Sequence, residues 1–410
     1  AGLQAARDAF YKGDIARDVT KWIGQQGGLM QYDDFAKFKV NFEPTVQSKF
    51  GNIDVHACGA WSQGPALPMA LNILKGYDLK AMGHNTPQYI HVVTEALNLA
   101  FADRHHHFGD PKFVDVPLKG LLSEKYSAWR RSMISPDKAW PEMPPAGDPK
   151  TLSALKNICM PVPQKDEAPG PGDTSYLCVI DRHGNAFSAT PSDGSDKTPI
   201  IPGVGILCSG RGTQSWADPS HPSSVAPGKR PRLTPNPALA LKNGHAYMPF
   251  GTPGGDVQIQ AMIQVFLNIN VFGMAVQDAV EAPRFASYSY PGSFEPHAYF
   301  PGRLYLVPAP LDHGCAVQVP LSDSLPAGTL AVAARLDHWI CENAKSLRSL
   351  LKRVDAQALI PVVNGQTRLL IHVESATDIL AVLTLKRDYP LINMVLVGVT
   401  EGWRVASQIA

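Results

Sequence analysis

Hydrophobic residues recur at helical spacing from residue 3 to residue 23 and the run stops at Gly27-Gly28, which predicts one amphipathic helix near the start of the chain. Residues 55–60 read as a short strand, broken by Trp61-Ser62-Gln63-Gly64-Pro65. Residues 66–74 and 87–102 read as buried or half-buried helices. Trp129, Arg130 and Arg131 fall on a further amphipathic helix, expected to show a solvated face and bury its tryptophan. Residues 161–172, PVPQKDEAPGPG, hold four prolines and little to bury, so they predict a loop. An apolar, β-branched run after Asp173, a turn at His183-Gly184-Asn185 and a second run at 186–190 predict a β-hairpin whose first strand opens on Thr174. A further apolar helix is expected from about Asp256. Beyond residue 307 the pattern changes. Two apolar runs span 350–373 around Asn364-Gly365, followed by a helix at 377–386, a strand at 394–397 and a helix at 401–409. That alternation argues for parallel βαβ units.

Composition narrows this picture. A chain of 410 residues suits two or three domains, and 44% hydrophobic residues suit a well-buried globular protein. The net charge of +1 gives no argument for nucleic acid as a partner, and no run approaches the ~20 apolar residues of a membrane span. Neither nucleic acid nor membrane is therefore expected. The six cysteines (Cys58, Cys159, Cys178, Cys208, Cys315, Cys341) form no CxxC pair and mostly lie in apolar runs, so no disulfide scaffold is expected and localisation stays open. The chain starts at Ala1 without a methionine or a signal peptide and runs straight into a helical pattern. His91, Glu95 and Asp103 share a predicted helix with His105-His106-His107 close by. A metal site needs ligands converging from separate elements, so no metal and no other cofactor is expected here.

The candidate chemistry centres on Thr174. A cuttable loop ending in Asp173-Thr174 at the mouth of a strand is what an autocatalytic N-terminal nucleophile needs. Cleavage between the two would free an α-amine, of pKa near ~8, beside the Thr174 hydroxyl whose proton it can take. A plain hairpin with a threonine at its edge has the same pattern.

Further motifs bear on that choice. Lys229-Arg230-Pro231 leads into Pro235-Asn236-Pro237, then Gly251-Thr252-Pro253-Gly254-Gly255 precedes the apolar helix, and Ala279-Val280-Glu281-Ala282-Pro283-Arg284-Phe285 follows. Upstream stand Ala9-Phe10-Tyr11-Lys12-Gly13-Asp14-Ile15-Ala16, Phe101-Ala102-Asp103-Arg104 and Gly109-Asp110-Pro111. In content and order these stretches resemble the γ-glutamyl transpeptidases, an N-terminal-nucleophile family that also includes glutaryl-type acylases. The resemblance covers residues 1 to about 306 and begins mid-subunit, so the chain is expected to be truncated. It implies an α+β fold, a partial αββα sandwich, with 1–173 as a large-subunit-like portion, 174–306 as a small-subunit-like catalytic portion and 307–410 as a separate α/β segment.

The resemblance also implies roles. Thr174 is the nucleophile, Ser192 a second hydroxyl close to it, and Gly254 and Gly255 supply backbone N–H groups to a developing oxyanion. Gly254-Gly255 stands at a helix entry, where the dipole adds to that stabilisation. Ser192 could equally be only a turn residue in Pro191-Ser192-Asp193-Gly194. Transpeptidases place an acid after the Gly-Ile-Leu turn to hold the glutamyl α-amine. Here Gly205-Ile206-Leu207 leads to Arg211-Gly212-Thr213-Gln214, with neutral Gln214 nearest that position. A serine pair usually follows Lys-Arg-Pro; this chain has Arg232-Leu233-Thr234, so only Thr234 keeps a hydroxyl. The arginine that clamps the substrate α-carboxylate belongs to the missing portion.

The expected activity is acyl transfer from a small γ-glutamyl amide such as glutathione to water or an amine, performed by two associated cleaved fragments. A glutaryl-type amide acylase and an inactive truncated remnant are the alternatives. The tail, through Leu370-Ile371-His372-Val373-Glu374 with Asp378-Ile379 and Val397-Gly398, resembles part of a metal-dependent amidohydrolase barrel. It lacks that family's His-x-His, and His372 alone makes no site.

Overall fold

The computed structural model describes residues 2–164, 174–193, 198–302, 304–307, 368–373 and 393–398, with isolated positions at 383, 386–387 and 390–391. The strands that organise it are β1 (Val46–Phe50), β2 (Ile53–Ala57), β3 (Leu177–Ile180), β4 (Ala186–Ala189), β5 (Ala238–Lys242) and β6 (His245–Phe250). β1, β2, β5 and β6 form one antiparallel sheet in that order. Its two halves come from opposite sides of the predicted cleavage loop. Strand alternation buries Ile53, Val55 and Ala57 on β2 and Ala238 and Ala240 on β5. The helix Ala66–Leu74 packs against β1 and β2 with all nine residues buried. Each fully buried leucine or isoleucine in it contributes about 1.5–3 kcal/mol.

Two sequence expectations are corrected. The first helix is two, Gly2–Tyr11 and Asp14–Gln25, because Gly13 between them is extended (φ −85°, ψ −157°) and Asp14 opens a new first turn. Arg130 and Arg131 on the helix Glu124–Ser132 do not form a solvated face, and Trp129 is half-buried. Arg130 is fully buried, 3.2 Å from the buried Asp103 carboxylate, and donates to the carbonyls of Leu99 (2.7 Å) and Pro145 (2.9 Å). Arg131 caps the end of helix Ala66–Leu74 by donating to the carbonyls of Asn72 and Ile73 (2.9 and 2.8 Å). Open carbonyls at a helix end attract cations, which helical periodicity alone does not reveal.

The chain divides into two compact units, Ala1–Tyr77 with Val92–Ile263 and Ser287–Leu304, and Asp78–His91 with Gln264–Ala286 and Tyr305–Ala410. The first holds the four-stranded sheet. In the second, Tyr89 meets Phe272 edge-on (5.4 Å) and Gln264 exchanges two hydrogen bonds with the Phe285 backbone (2.8 and 3.0 Å). The second unit also contains β7 (Arg368–Val373) and β8 (Asn393–Gly398), paired in parallel as the tail pattern predicts. The helices expected at 377–386 and 401–409 lie almost wholly outside the described residues. Among the described residues no helix is long and apolar enough to cross a membrane, and no three potential ligands group around a metal position.

Candidate active site

The hairpin β3–β4 turns as its sequence dictates. The Asp181 carboxylate accepts from the backbone N–H groups of His183 (2.8 Å) and Asn185 (2.9 Å), and Gly184 takes φ +82°. Below the hairpin, Thr174 and Ser192 form an antiparallel bridge that brings their hydroxyls to 2.6 Å. Arg211, on a short 3-10 turn at Gly210–Gln214, reaches back to this pair. Its guanidinium donates to the Ser192 hydroxyl, to the Ser192 carbonyl (3.1 Å) and to the Thr234 hydroxyl (3.3 Å). Gln214 is fully buried behind Arg211; its Oε1 accepts from Arg211 (3.4 Å) and its Nε2 donates to Thr234 Oγ1 (3.2 Å). Five of the sequence-predicted residues therefore form one connected cluster.

The glycine turn is built differently. Gly251 sits under the Tyr176 ring, where a Cβ would come within 2.4 Å of a ring carbon. Gly254 (φ +117°) and Gly255 (φ +53°) adopt conformations that a side chain disfavours, and the helix Val257–Asn270 follows at once. Behind the turn, Asp256 accepts from Arg104 and from the Ser293 hydroxyl and N–H (2.6 and 2.7 Å). Gln63 donates to the carbonyls of Thr234 (2.7 Å) and Gly255 (2.8 Å) and accepts from Arg104 (3.0 Å). Phe294 links the two sides. Its ring lies 5.4 Å from the Arg211 guanidinium carbon, and a ring carbon is 3.6 Å from where a Gly255 Cβ would stand.

The charges behind the turn are buried and out of balance. Arg104 and Arg232 are both fully buried, against the single Asp256 carboxylate. Burial alone would raise the Asp256 carboxyl, but Arg104, Ser293 and Arg232 hold it below the usual carboxylate range. Burial, and then the like charge of Arg104, bring Arg232 down to about 9. A stack of rings borders Arg232. Trp216 lies against His297 (3.8 Å, 5°) and His221 (4.2 Å, 16°), and His221 adjoins His105. Burial lowers all three histidines, His105 to about 3, so they remain neutral.

Asp173, half of the predicted cleavage pair, lies outside the described residues. The sequence reading did not place Gln63, Arg104, Asp256, Ser293 or Phe294 in the site. Gln63 looked like a strand breaker and Asp256 like a helix start. The signal in hand was Arg104, a charge just past the end of the helix read at 87–102, which the structure extends to His107 and buries, so that it demands a distant partner. The histidine run 105–107 forms hydrogen bonds to backbone carbonyls, His105 to Ile158 and His107 to Gly147, each at 2.8 Å.

The mixed α and β frame is that of the N-terminal-nucleophile hydrolases. The solved structure of LmbA2991HD superposes with a TM-score of 0.67 at 32% identity, over 74% of this chain and 54% of that one. The chain belongs to the gamma-glutamyltranspeptidase family, whose model matches residues 3–304. A glutathione hydrolase proenzyme from Pseudomonas sp. (strain A14) is 29% identical over 336 residues, 76% of this chain and 56% of its own length. The Acylase ACY 1 proenzyme from Pseudomonas sp. (strain SE83) is 30% identical over 282 residues, 68% of this chain and 47% of its own. The chain thus spans about half the length of the curated relatives it matches. These matches give no support to the amidohydrolase-like resemblance of the tail.

Proposed function

We propose that the chain is an amide acyltransferase or hydrolase that matures by cutting itself before Thr174, dividing 1–173 from the rest. The observation that carries this reading is the 2.6 Å contact between the Thr174 and Ser192 hydroxyls at the mouth of the hairpin. In maturation the Thr174 hydroxyl attacks the preceding carbonyl and the C–N bond breaks, freeing the α-amine, which takes up the proton; water then hydrolyses the resulting ester, restoring the Thr174 hydroxyl and separating the two pieces. In turnover that amine takes the hydroxyl proton as Oγ1 attacks the substrate carbonyl. The N–H groups of Gly254 and Gly255 hold the oxyanion, the leaving amine departs with the proton, and water or a second amine resolves the acyl-enzyme. The substrate is a small γ-glutamyl amide such as glutathione. The Thr174→Ala chain should stay a single band on a denaturing gel while the unaltered chain gives two. N-terminal sequencing of the second piece should begin at Thr174; any other start removes the assignment.

One observation favours the acylase reading. Gln214, nearest the position where transpeptidases place the acid that holds the substrate ammonium group, is neutral and spent on Arg211 and Thr234, while Arg211 beside it bonds to Ser192. A cation there repels an α-amine and attracts a carboxylate, which suits a glutaryl-type acyl group.

A further inference from the structure

The Gly254-Gly255 turn has little stiffness of its own. Two successive glycines place few limits on their dihedrals, so their N–H groups point usefully only if neighbouring atoms fix the peptide planes. One plane is fixed locally: Val257 N–H donates to the Gly254 carbonyl (2.8 Å), and the Gly255 N–H shares that plane. The next plane, from Gly255 to Asp256, receives a longer local bond from the Gln258 N–H (3.3 Å) and a shorter one from outside the turn, from a residue 192 positions earlier. Gln63, fully buried, donates one amide hydrogen to the Gly255 carbonyl (2.8 Å) and the other to the Thr234 carbonyl (2.7 Å). Its Oε1 accepts from Arg104, which also holds the Asp256 carboxylate at the far end of the same plane. The Gln63 backbone is pinned as well: its N–H donates to the Leu233 carbonyl (2.8 Å), and the Leu233 N–H donates to Trp61 (2.9 Å). A single amide therefore ties the turn to the segment carrying Thr234, and Thr234 in turn meets Arg211 and Gln214.

We infer that Gln63 is a positioning residue: by anchoring the Gly255 carbonyl it fixes the far side of the Gly254-Gly255 turn, and so the place in the site from which the turn's N–H groups meet the oxyanion. The inference rests on the oxyanion role proposed above. Gln63 touches no substrate atom in this scheme. Its loss should therefore slow the step in which the oxyanion forms and leave ground-state binding nearly unchanged.

The test uses the self-cleaved protein, with kcat and KM counted per cleaved molecule on a γ-glutamyl or glutaryl p-nitroanilide. Gln63→Leu removes all three side-chain bonds. Gln63→Glu keeps the shape and the Arg104 contact but faces two carbonyl oxygens with a carboxylate, and it carries the test if the leucine variant does not fold. Gly254→Ala serves as the reference for the turn itself. The expected result is a fall in kcat of about 10²-fold in both Gln63 variants, with KM within a few-fold of the unaltered enzyme. Gly254→Ala should lose at least as much. Unchanged kcat in the Gln63 variants, beside a large loss in Gly254→Ala, overturns the positioning role and leaves the oxyanion reading standing. Unchanged kcat in Gly254→Ala removes the oxyanion reading and this inference together. A lower melting temperature with wild-type kcat, or a rise in KM alone, would assign Gln63 a merely structural part.

Discussion

The two sides of the candidate site are made from opposite materials. Around Thr174 the bonding is among hydroxyls, one guanidinium and one amide, on half-buried strand ends and a single short turn. Around Gly254-Gly255 the turn offers bare backbone, and the side chains behind it form a buried charged lattice of Arg104, Arg232 and Asp256. The difference fits the role proposed for each side. A nucleophile changes bonding partners during a cycle and needs groups that reorient cheaply. An oxyanion pocket works by not moving, and buried charge-assisted bonds are costly to break.

The largest test of this contrast is Arg104→Met. It leaves Asp256 buried without its main partner, and should lower unfolding stability by about 3–5 kcal/mol in denaturant titration. Ser192→Ala, on the other side, should cost about 1 kcal/mol or less and instead slow cleavage and turnover. Equal stability losses in the two variants would erase the distinction.

A smaller effect sharpens the chemistry of the Thr174 side. With Arg211 charged and Gln214 neutral, kcat/KM for glutaryl p-nitroanilide should rival or exceed that for the γ-glutamyl compound. Gln214→Asp, placing an anion against Arg211, should move the ratio toward γ-glutamyl by roughly ten- to a hundred-fold. A strong γ-glutamyl preference in the unaltered enzyme that the substitution leaves alone would show that this pair does not select the acyl group.

The smallest effect concerns the ring stack behind the charged lattice. His105 and His221 are neutral when folded because burial lowers them below the ordinary ~6.5 of the unfolded chain. The unfolded state therefore binds more protons as pH falls. The stability is fully present above about 6.5 and is lost below it, by up to about 1.4 kcal/mol per pH unit for each histidine. Melting temperature should drop between pH 7.5 and 5.5, and less so in His105→Gln.

Periodicity and turn chemistry made much of the frame legible: the hairpin after Thr174, the buried helix Ala66–Leu74, the helix after the glycine turn and the parallel tail strands. The Thr174 side was legible because its residues fall within about sixty positions: Thr174 and Ser192 where the family resemblance implies them, and Arg211, Gln214 and Thr234 in the stretches where the chain departs from that pattern. The charged lattice was not. Arg104 and Asp256 stand 152 positions apart and Gln63 and Gly255 stand 192 apart, and no local pattern encodes such a pairing. Arg130 misled for the same reason, since helical spacing marks a face but not what lies against it.

The shared sheet has a consequence for any chain cut before Thr174. Strands β1 and β2 would belong to one piece and β5 and β6 to the other, hydrogen-bonded along the β2–β5 seam. The cut itself would break none of those rungs, so the folded molecule would scarcely register it. Once unfolded, however, the two pieces are separate molecules. Recovery then requires a bimolecular encounter, slower on dilution, where the uncut chain needs only to find itself. Self-cleavage would thus act as a ratchet: the precursor can be denatured and recovered, whereas the mature protein, once melted at low concentration, stays lost.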